Sequence, residues 1–338
     1  VKALAGGSPA GGSLAGGSLA GVALEHPVMN AAGTCKSLRD VEMFARSAVA
    51  AVVVGSITLA PRAGNAGTVY WPAAGFALNA LGLPNRGLDY YAEHLPRMVE
   101  LAHGAGKPLI VSIAGFDVAE YRQMAEVVAV AGADLIEVNL ACPNVWDGGT
   151  QKRIACFDPG QTAAVCTAVG AALETLAGPG SPDGTSTGAG RRVPFGVKIS
   201  PFSDPAALAG LVAALGQVVR PAGHGPAGPR FVTAVNTFPN ALAVDAAHRP
   251  VLDVGLAGMS GPALKPIALG QVRQLRRLLP DDIALVAAGG VSGGRDVAEY
   301  LHAGAVAVQA ATVFWNRGED PSVFGEILSG WVDQEDLG

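Results

Sequence analysis

Charge is scarce in this chain, and none of it is lopsided. Only 15% of the 338 residues are charged and 6% are aromatic. The 23 Lys and Arg residues stand against 28 Asp and Glu, a net charge of -5. There is no basic excess to follow a phosphate backbone, so no nucleic-acid partner is expected. Apolar runs are short as well. None reaches the ~18 residues of a membrane span, and the richest windows, 45–54 and 127–133, are core-sized, so no membrane partner is expected. The four cysteines, Cys35, Cys142, Cys156 and Cys166, are too few for a disulfide scaffold. No pair has CxxC spacing, so no metal site is expected, and a reducing cytoplasm is the expected compartment. The N-terminus has a single lysine, Lys2, and no continuous apolar segment, which argues against a secretion signal. What the chain does have is 50% hydrophobic residues, 46 Gly and 23 Pro. That excludes wholesale disorder, and the length fits two domains or one α/β barrel of ~250 residues with insertions.

The pentapeptides GGSPA, GGSLA and GGSLA fill residues 6–20. Gly/Ser/Ala repeats have no face to bury, so residues 1–17 are expected to be a flexible lead-in to a domain spanning 18–338. Two more soft stretches, 177–192 and 221–229, separate no regions of different composition and read as loop insertions in one domain. Between them, apolar β-branched runs at 28–31, 51–54, 109–113, 135–139, 195–199, 232–236, 284–287 and 306–309 have the two-sided character of buried parallel strands. Helical patterns alternate with them at 38–47, 88–104, 117–131, 160–176, 205–218, 265–279, 294–303 and 321–333. Asp117 and Ser203-Asp204-Pro205 stand as start signals. Eight such units predict a single-domain (β/α)8 TIM barrel with loop insertions. A doubly wound sheet is the rival, but AAGTCK at 31–36 is not its glycine fingerprint.

In a barrel, polar residues just past the C-terminal strand ends carry the chemistry. Those ends hold Asn30-Ala31-Ala32-Gly33, Gly55-Ser56, Ser112, Asn139-Leu140-Ala141-Cys142-Pro143-Asn144, Lys198, Asn236-Thr237, Gly289-Gly290 and Ala311-Thr312. Singly, an Asn there is a turn former and a Lys a snorkelling surface residue. Their recurrence on one rim is what points to a site. Gly289-Gly290 with Thr312, and Gly258-Met259-Ser260-Gly261, let backbone N–H groups approach an anion, or they are ordinary tight turns. Cys142 is a candidate nucleophile or base once its thiol ionises, or a buried structural cysteine. Cys156 and Cys166 read as structural. Lys198 could set a positive charge beside an electron-rich cofactor ring.

The stretches HPVMNAAGT (26–34), GSITLAPRAGN (55–65), ALNALGLPNRGLDYY (77–91), DLIEVNLACPNV (134–145), GVKISPF (196–202), VNTFPNALAVD (235–245) and AAGGVSGGRDVAEYLHAGAVAVQAAT (287–312) resemble, in order, the soluble class 1 dihydroorotate dehydrogenases. The resemblance implies an FMN-dependent oxidoreductase of pyrimidine biosynthesis, with FMN lying across the barrel mouth. Its phosphate would rest on Gly261, Gly289, Gly290, Ala311 and Thr312. Ala31, Ala32, Gly33, Ser56, Asn139 and Lys198 would line the ring or its ribityl chain. A pyrimidine acid would be held by Asn79, Leu81, Gly82, Leu83, Asn144, Asn236 and Thr237, with Cys142 as the catalytic base. A homodimer is implied. Segment 148–160 is similar to a subgroup that passes electrons to a partner subunit carrying an iron–sulfur cluster and FAD, which leaves such a partner open.

Two departures stand out. The soluble class has a lysine where this chain has Gly55, and Lys36, after strand 1, is the candidate that would supply the missing charge beside the cofactor. Its bland alternative is a solvated loop lysine. A paralogue acting on another pyrimidine-like ring, or a flavin-binding barrel without turnover, are the alternative functions.

Overall fold

Eight parallel strands, taken in chain order, close around one axis. They are β1 (Val28–Asn30), β2 (Val52–Ile57), β3 (Leu109–Ile113), β4 (Leu135–Asn139), β5 (Phe195–Ile199), β6 (Phe231–Ala234), β7 (Ala284–Ala288) and β8 (Ala307–Ala310). Their hydrogen-bonded order is β1-β8-β7-β6-β5-β4-β3-β2. Helices α1 (Leu38–Ala45), α2 (Leu88–Gly104), α3 (Val118–Val130), α4 (Pro159–Ala177), α5 (Pro205–Val218), α6 (Lys265–Leu278) and α7 (Gly294–Ala303) follow strands β1 to β7. The short α8 (Thr312–Asn316) and then α9 (Ser322–Glu335) follow β8. This is the predicted (β/α)8 barrel. The computed structural model describes residues 17–143, 145–147, 150–178, 192–218 and 228–335. The predicted lead-in except Gly17, residue Asn144 and most of the two soft stretches lie outside the described residues.

Local chemistry starts the helices where the sequence signals them. Ser37 and Asp40 form a reciprocal capping box on α1, and the Asp117 carboxylate accepts from Glu120 N at 2.9 Å on α3. Asp158 accepts from Gln161 N at 3.1 Å, with Pro159 opening α4.

Burial on both faces explains the uninterrupted apolar runs. Outward residues such as Val52, Val54, Val111, Val138 and Val197 pack under the helices. Inward residues Met29, Val53, Ile110, Leu135, Phe231, Val286 and Ala307 form a separate cluster. Leu19 and Leu24, from a hairpin pairing Ser18–Leu19 with Val22–Ala23, plug its floor. Gly196 makes room inside, because a Cβ there would lie 2.4 Å from the Phe231 ring. Filling that space with the ring contributes roughly 1.5–3 kcal/mol.

Two features depart from the sequence reading. Strand β2 runs through Ile57, so Gly55 and Ser56 lie within it rather than past its end. An antiparallel four-stranded sheet, in the order Phe238–Ala241, Ala257–Ser260, Phe76–Asn79, Tyr70–Ala73, has no counterpart among the strands read from the sequence. Gly258, Met259 and Ser260, read as part of a glycine turn, are strand residues of that sheet, and the turn itself falls at Gly261. The sheet unites the β2–α2 and β6–α6 connections beside the barrel mouth. Among the described residues no helix is long and apolar enough to cross a membrane, and no cluster of His, Cys, Asp or Glu could hold a metal.

Candidate active site

The C-terminal mouth opens into a cleft of about 330 Å³. Ala31, Ala32, Gly33 and Lys36 from the β1 end, and Ser56 from β2, line one side. Asn139, Cys142, Lys198, Asn236 and Thr237 line the floor and the opposite side. Gly261, Gly289, Gly290, Ala311 and Thr312 form one end, and Asn79, Leu81, Gly82 and Leu83 an overhanging edge. Every site residue expected from the sequence is therefore on this one surface, except Asn144, which lies outside the described residues.

The polar floor is a connected network. Asn139 Nδ2 donates to Ser56 Oγ at 2.9 Å, and Ser56 shares a hydrogen bond with Ser112 Oγ at 2.8 Å. Asn236 Nδ2 donates to Asn139 Oδ1 at 3.3 Å, and Thr237 N donates to Asn236 Oδ1 at 2.7 Å. These bonds fix which face of each amide donates and which accepts. Among the described residues, the buried Thr237 hydroxyl has no protein hydrogen-bond partner. Lys198, 5% exposed, donates to Gln309 Oε1 at 2.8 Å and lies 3.5 Å from Glu137 Oε1.

Cys142 sits half-buried on a loop pinned from several sides. Leu140 N donates to Lys198 O at 3.0 Å and Cys156 N to Leu140 O at 3.0 Å. Gln151 Nε2 donates to Pro143 O at 2.7 Å. By contrast, burial pushes the Cys156 and Cys166 thiols up to about 12, which leaves them inert as expected.

At the glycine end, Gly261, Gly289 and Gly290 all have positive φ, at 85°, 129° and 71°. A Cβ on Gly290 would meet Gly261 O at 2.8 Å, and one on Gly289 would meet Ala268 Cβ at 2.7 Å. Only glycine fits at these two positions, and all three glycines line the cleft. Thr312 Oγ1 and Ser260 Oγ lie 2.9 Å apart across this end.

The overhanging edge is stapled by Asn85 and by Arg62, neither of which the sequence assigns to the site, Arg62 being expected to point outward. Asn85 Oδ1 accepts from Thr58 N at 3.2 Å and Gly87 N at 2.9 Å, while its Nδ2 donates to Leu83 O at 2.8 Å. Arg62 Nε donates to Gly82 O at 3.1 Å. Ser260, Trp315, Asn316 and Arg317 also line the cleft, and the last three lie within five residues after the expected Thr312. Burial holds the Lys36 ammonium below the usual lysine range, against the opposing pull of Asp40 and Glu319. Gly55 has φ of 109°, and a Cβ there would lie 2.3 Å from Ser112 O, so this backbone leaves no room for a lysine.

Comparison with known proteins points the same way. A dihydroorotate dehydrogenase from Eimeria tenella, solved with ferulenol, superposes with a TM-score of 0.77 over 95% of this chain and 84% of that one, at 22% identity, and so shares the fold. Dihydroorotate dehydrogenase A (fumarate) of Lacticaseibacillus paracasei is 33% identical over 90% of this chain and 94% of its own length. The catalytic subunit of dihydroorotate dehydrogenase B (NAD(+)) from Methanopyrus kandleri is 33% identical over 89% of this chain and 84% of its own. The dihydroorotate dehydrogenase family profile matches residues 15–331. A barrel of this topology, matched along nearly its whole length, belongs to the dihydroorotate dehydrogenase family of flavin oxidoreductases.

Proposed function

We propose that this chain oxidises dihydroorotate to orotate, using FMN as the bound hydride acceptor and Cys142 as the base. The observation that carries the reading is convergence. A thiol, a set of oriented amides, a buried lysine and a glycine cradle all line one cleft. The residues fit the cofactor. At three glycines a Cβ would press on its neighbours, so the backbone there is bare of side chains, the kind of cradle in which N–H groups take a phosphate. Gly261, Gly289, Gly290, Ala311 and Thr312 would hold that phosphate. Ala31, Ala32, Gly33, Ser56, Asn139 and Lys198 would line the ring.

When bound, FMN supplies a two-electron acceptor for the hydride leaving C6 of the substrate. Cys142, as thiolate, takes the proton from C5, so the ring loses one hydride and one proton and gains the C5–C6 double bond. Orotate is a planar anion with both carbonyl and N–H edges, which amides satisfy because they donate and accept. Asn79, Asn236 and the Thr237 hydroxyl supply such groups, and Asn144 would join them. Lys198 and Lys36 offset negative charge in the low-dielectric mouth.

The Cys142 base and the segment after it support the soluble class 1 type. The relatives divide over the oxidant, with fumarate named for those of L. paracasei and Trypanosoma cruzi and NAD(+) for that of M. kandleri. The family likeness supports a cytoplasmic homodimer, with an electron-transfer subunit as partner if NAD(+) is the oxidant. The test is direct. Purified protein is expected to be yellow and to bleach anaerobically when dihydroorotate is added. Colourless protein that takes up no FMN refutes the reading, and a yellow protein that ignores dihydroorotate moves it to another ring.

A further inference from the structure

Under the cleft floor lies a carboxylate that the proposed reaction does not use. Glu137, at the middle of β4, is fully buried inside the barrel, as is Thr233, with Gln309 2% exposed. The Thr233 hydroxyl donates to Glu137 Oε2 at 2.9 Å, and Gln309 Nε2 donates to the same oxygen at 2.9 Å. The other oxygen, Oε1, accepts no hydrogen bond and faces the Lys198 ammonium at 3.5 Å. Because a carboxylate only accepts, it forces the nitrogen of Gln309 towards itself and the oxygen of Gln309 towards Lys198, which donates there at 2.8 Å. Lys198 therefore rests on two oxygens, one charged and one neutral, whose directions Glu137 sets. Gly196 is the strand partner of Glu137 and carries no side chain, while Lys198 stands one inward position further up the same strand.

We propose that Glu137 is a positioning residue of the active site. It fixes the Lys198 ammonium from beneath and sets the net charge felt by the ring bound above it. A buried acid kept only for packing would gain by having both oxygens hydrogen-bonded, and a buried carboxylate without its countercharge is costly. Here one oxygen is reserved for the lysine. The inference rests on the flavin reading above, with Lys198 beside the cofactor ring.

Exchanging the charge between two positions separates this role from a structural one. Glu137→Gln removes one negative charge below the ring and turns an amide against the ammonium. Gln309→Glu sets a second carboxyl against Glu137 Oε2, where Gln309 Nε2 now donates at 2.9 Å, and the buried pair shares one proton, so the net charge beneath the ring is unchanged. The double variant keeps the charge and moves it to the position already bonded to Lys198. FMN content and the midpoint potential of bound FMN, followed by absorbance against reference dyes, are the readouts. FMN content is expected to stay at the wild-type level, because the glycine cradle is untouched. The potential is expected to rise in Glu137→Gln by at least a tenfold change in the two-electron equilibrium, about 30 mV, and to stay close to wild type in Gln309→Glu. The double variant is expected to return close to wild type. Yellow Glu137→Gln protein with an unchanged potential, or a double variant further from wild type than either single one, overturns the proposal. If Glu137→Gln fails to fold, recovery of folded yellow protein in the double variant supports the proposal, and no recovery overturns it. Colourless wild-type protein refutes the flavin reading itself and this inference with it.

Discussion

The side-chain amide of Asn30 stands in for a strand at the barrel seam, accepting from Val53 N at 2.9 Å and donating to Val53 O at 2.8 Å. The backbone of β1 makes no regular ladder with β2, so this carboxamide imitates a peptide group and carries the pairing across. Its second donor goes to Thr34 Oγ1 at 3.0 Å, which ties the loop carrying Ala31–Gly33 to the same anchor. Asn30→Ala strands a buried N–H and a buried C=O. The expected loss is about 2–4 kcal/mol in urea unfolding, from two groups at ~1–3 kcal/mol each. Asn30→Asp keeps the acceptor but loses both donors, and is expected to fare no better. A loss under ~0.5 kcal/mol for Asn30→Ala, the scale of a neutral surface change, would show that the seam is held elsewhere.

Gly55 makes the opposite point, since its side chain must be absent. With φ of 109° and a notional Cβ 2.3 Å from Ser112 O, any substitution forces β2 and β3 apart. Gly55→Ala is expected to cost about 2–4 kcal/mol, combining backbone strain with the clash. Gly55→Lys, which would install the soluble-class lysine, is expected to lower folded yield rather than speed flavin reduction. Well-folded Gly55→Lys protein with faster flavin reduction would contradict this reading of the strand.

The barrel was legible because its signals are local. Eight short runs buried on both faces, alternating with capped amphipathic segments, leave few topologies open. The rim was legible because glycines and asparagines recur where strands end. The small sheet was not. Its strands are four residues long and partly exposed, one contains Pro72, and its pairing of Gly258 with Asn79 joins distant parts of the chain. Glu137 was missed for a related reason. A charge in the middle of LIEVN reads as a solvent-facing position until barrel closure turns that face inward. The absence of room at Gly55 lies in φ and in Ser112 across the sheet, which residue identity alone does not reveal.

Cys142 gives the sharpest kinetic expectation. Its loop is held by Gln151 and by Lys198 O, so a change of side chain should leave the loop in place. Cys142→Ala is expected to keep FMN and lose at least ~100-fold in the rate of flavin reduction by dihydroorotate, the scale of general-base loss. Cys142→Ser is expected to retain part of the rate, with its optimum moved to higher pH, because a hydroxyl gives up its proton less readily than a thiol. Stopped-flow reduction across pH measures both. Near-normal reduction in Cys142→Ala would assign the proton transfer to another group.

Lys36 can be tested through stability as well as rate. It lines the cleft, and burial lowers its pKa despite Asp40 and Glu319. A lysine whose folded-state pKa is lowered binds fewer protons folded than unfolded in the window between its two pKa values. Stability therefore rises with pH through that window and is lowest below it, where the buried ammonium is charged. Lys36→Met in flavin-free protein is expected to be more stable than wild type at neutral pH. That advantage should shrink as pH climbs towards the ordinary lysine value of 10.5. If the same charge serves the bound anions, Lys36→Ala should weaken orotate binding or slow flavin reduction by about 1.5–3 kcal/mol, the scale of a charge-assisted hydrogen bond. The two measurements together describe a residue kept at a cost to the fold for the sake of the site. Equal stability of Lys36→Met and wild type across pH, together with a rate effect under ~0.5 kcal/mol, would make Lys36 a solvated loop residue and leave Lys198 to carry the positive charge of the pocket.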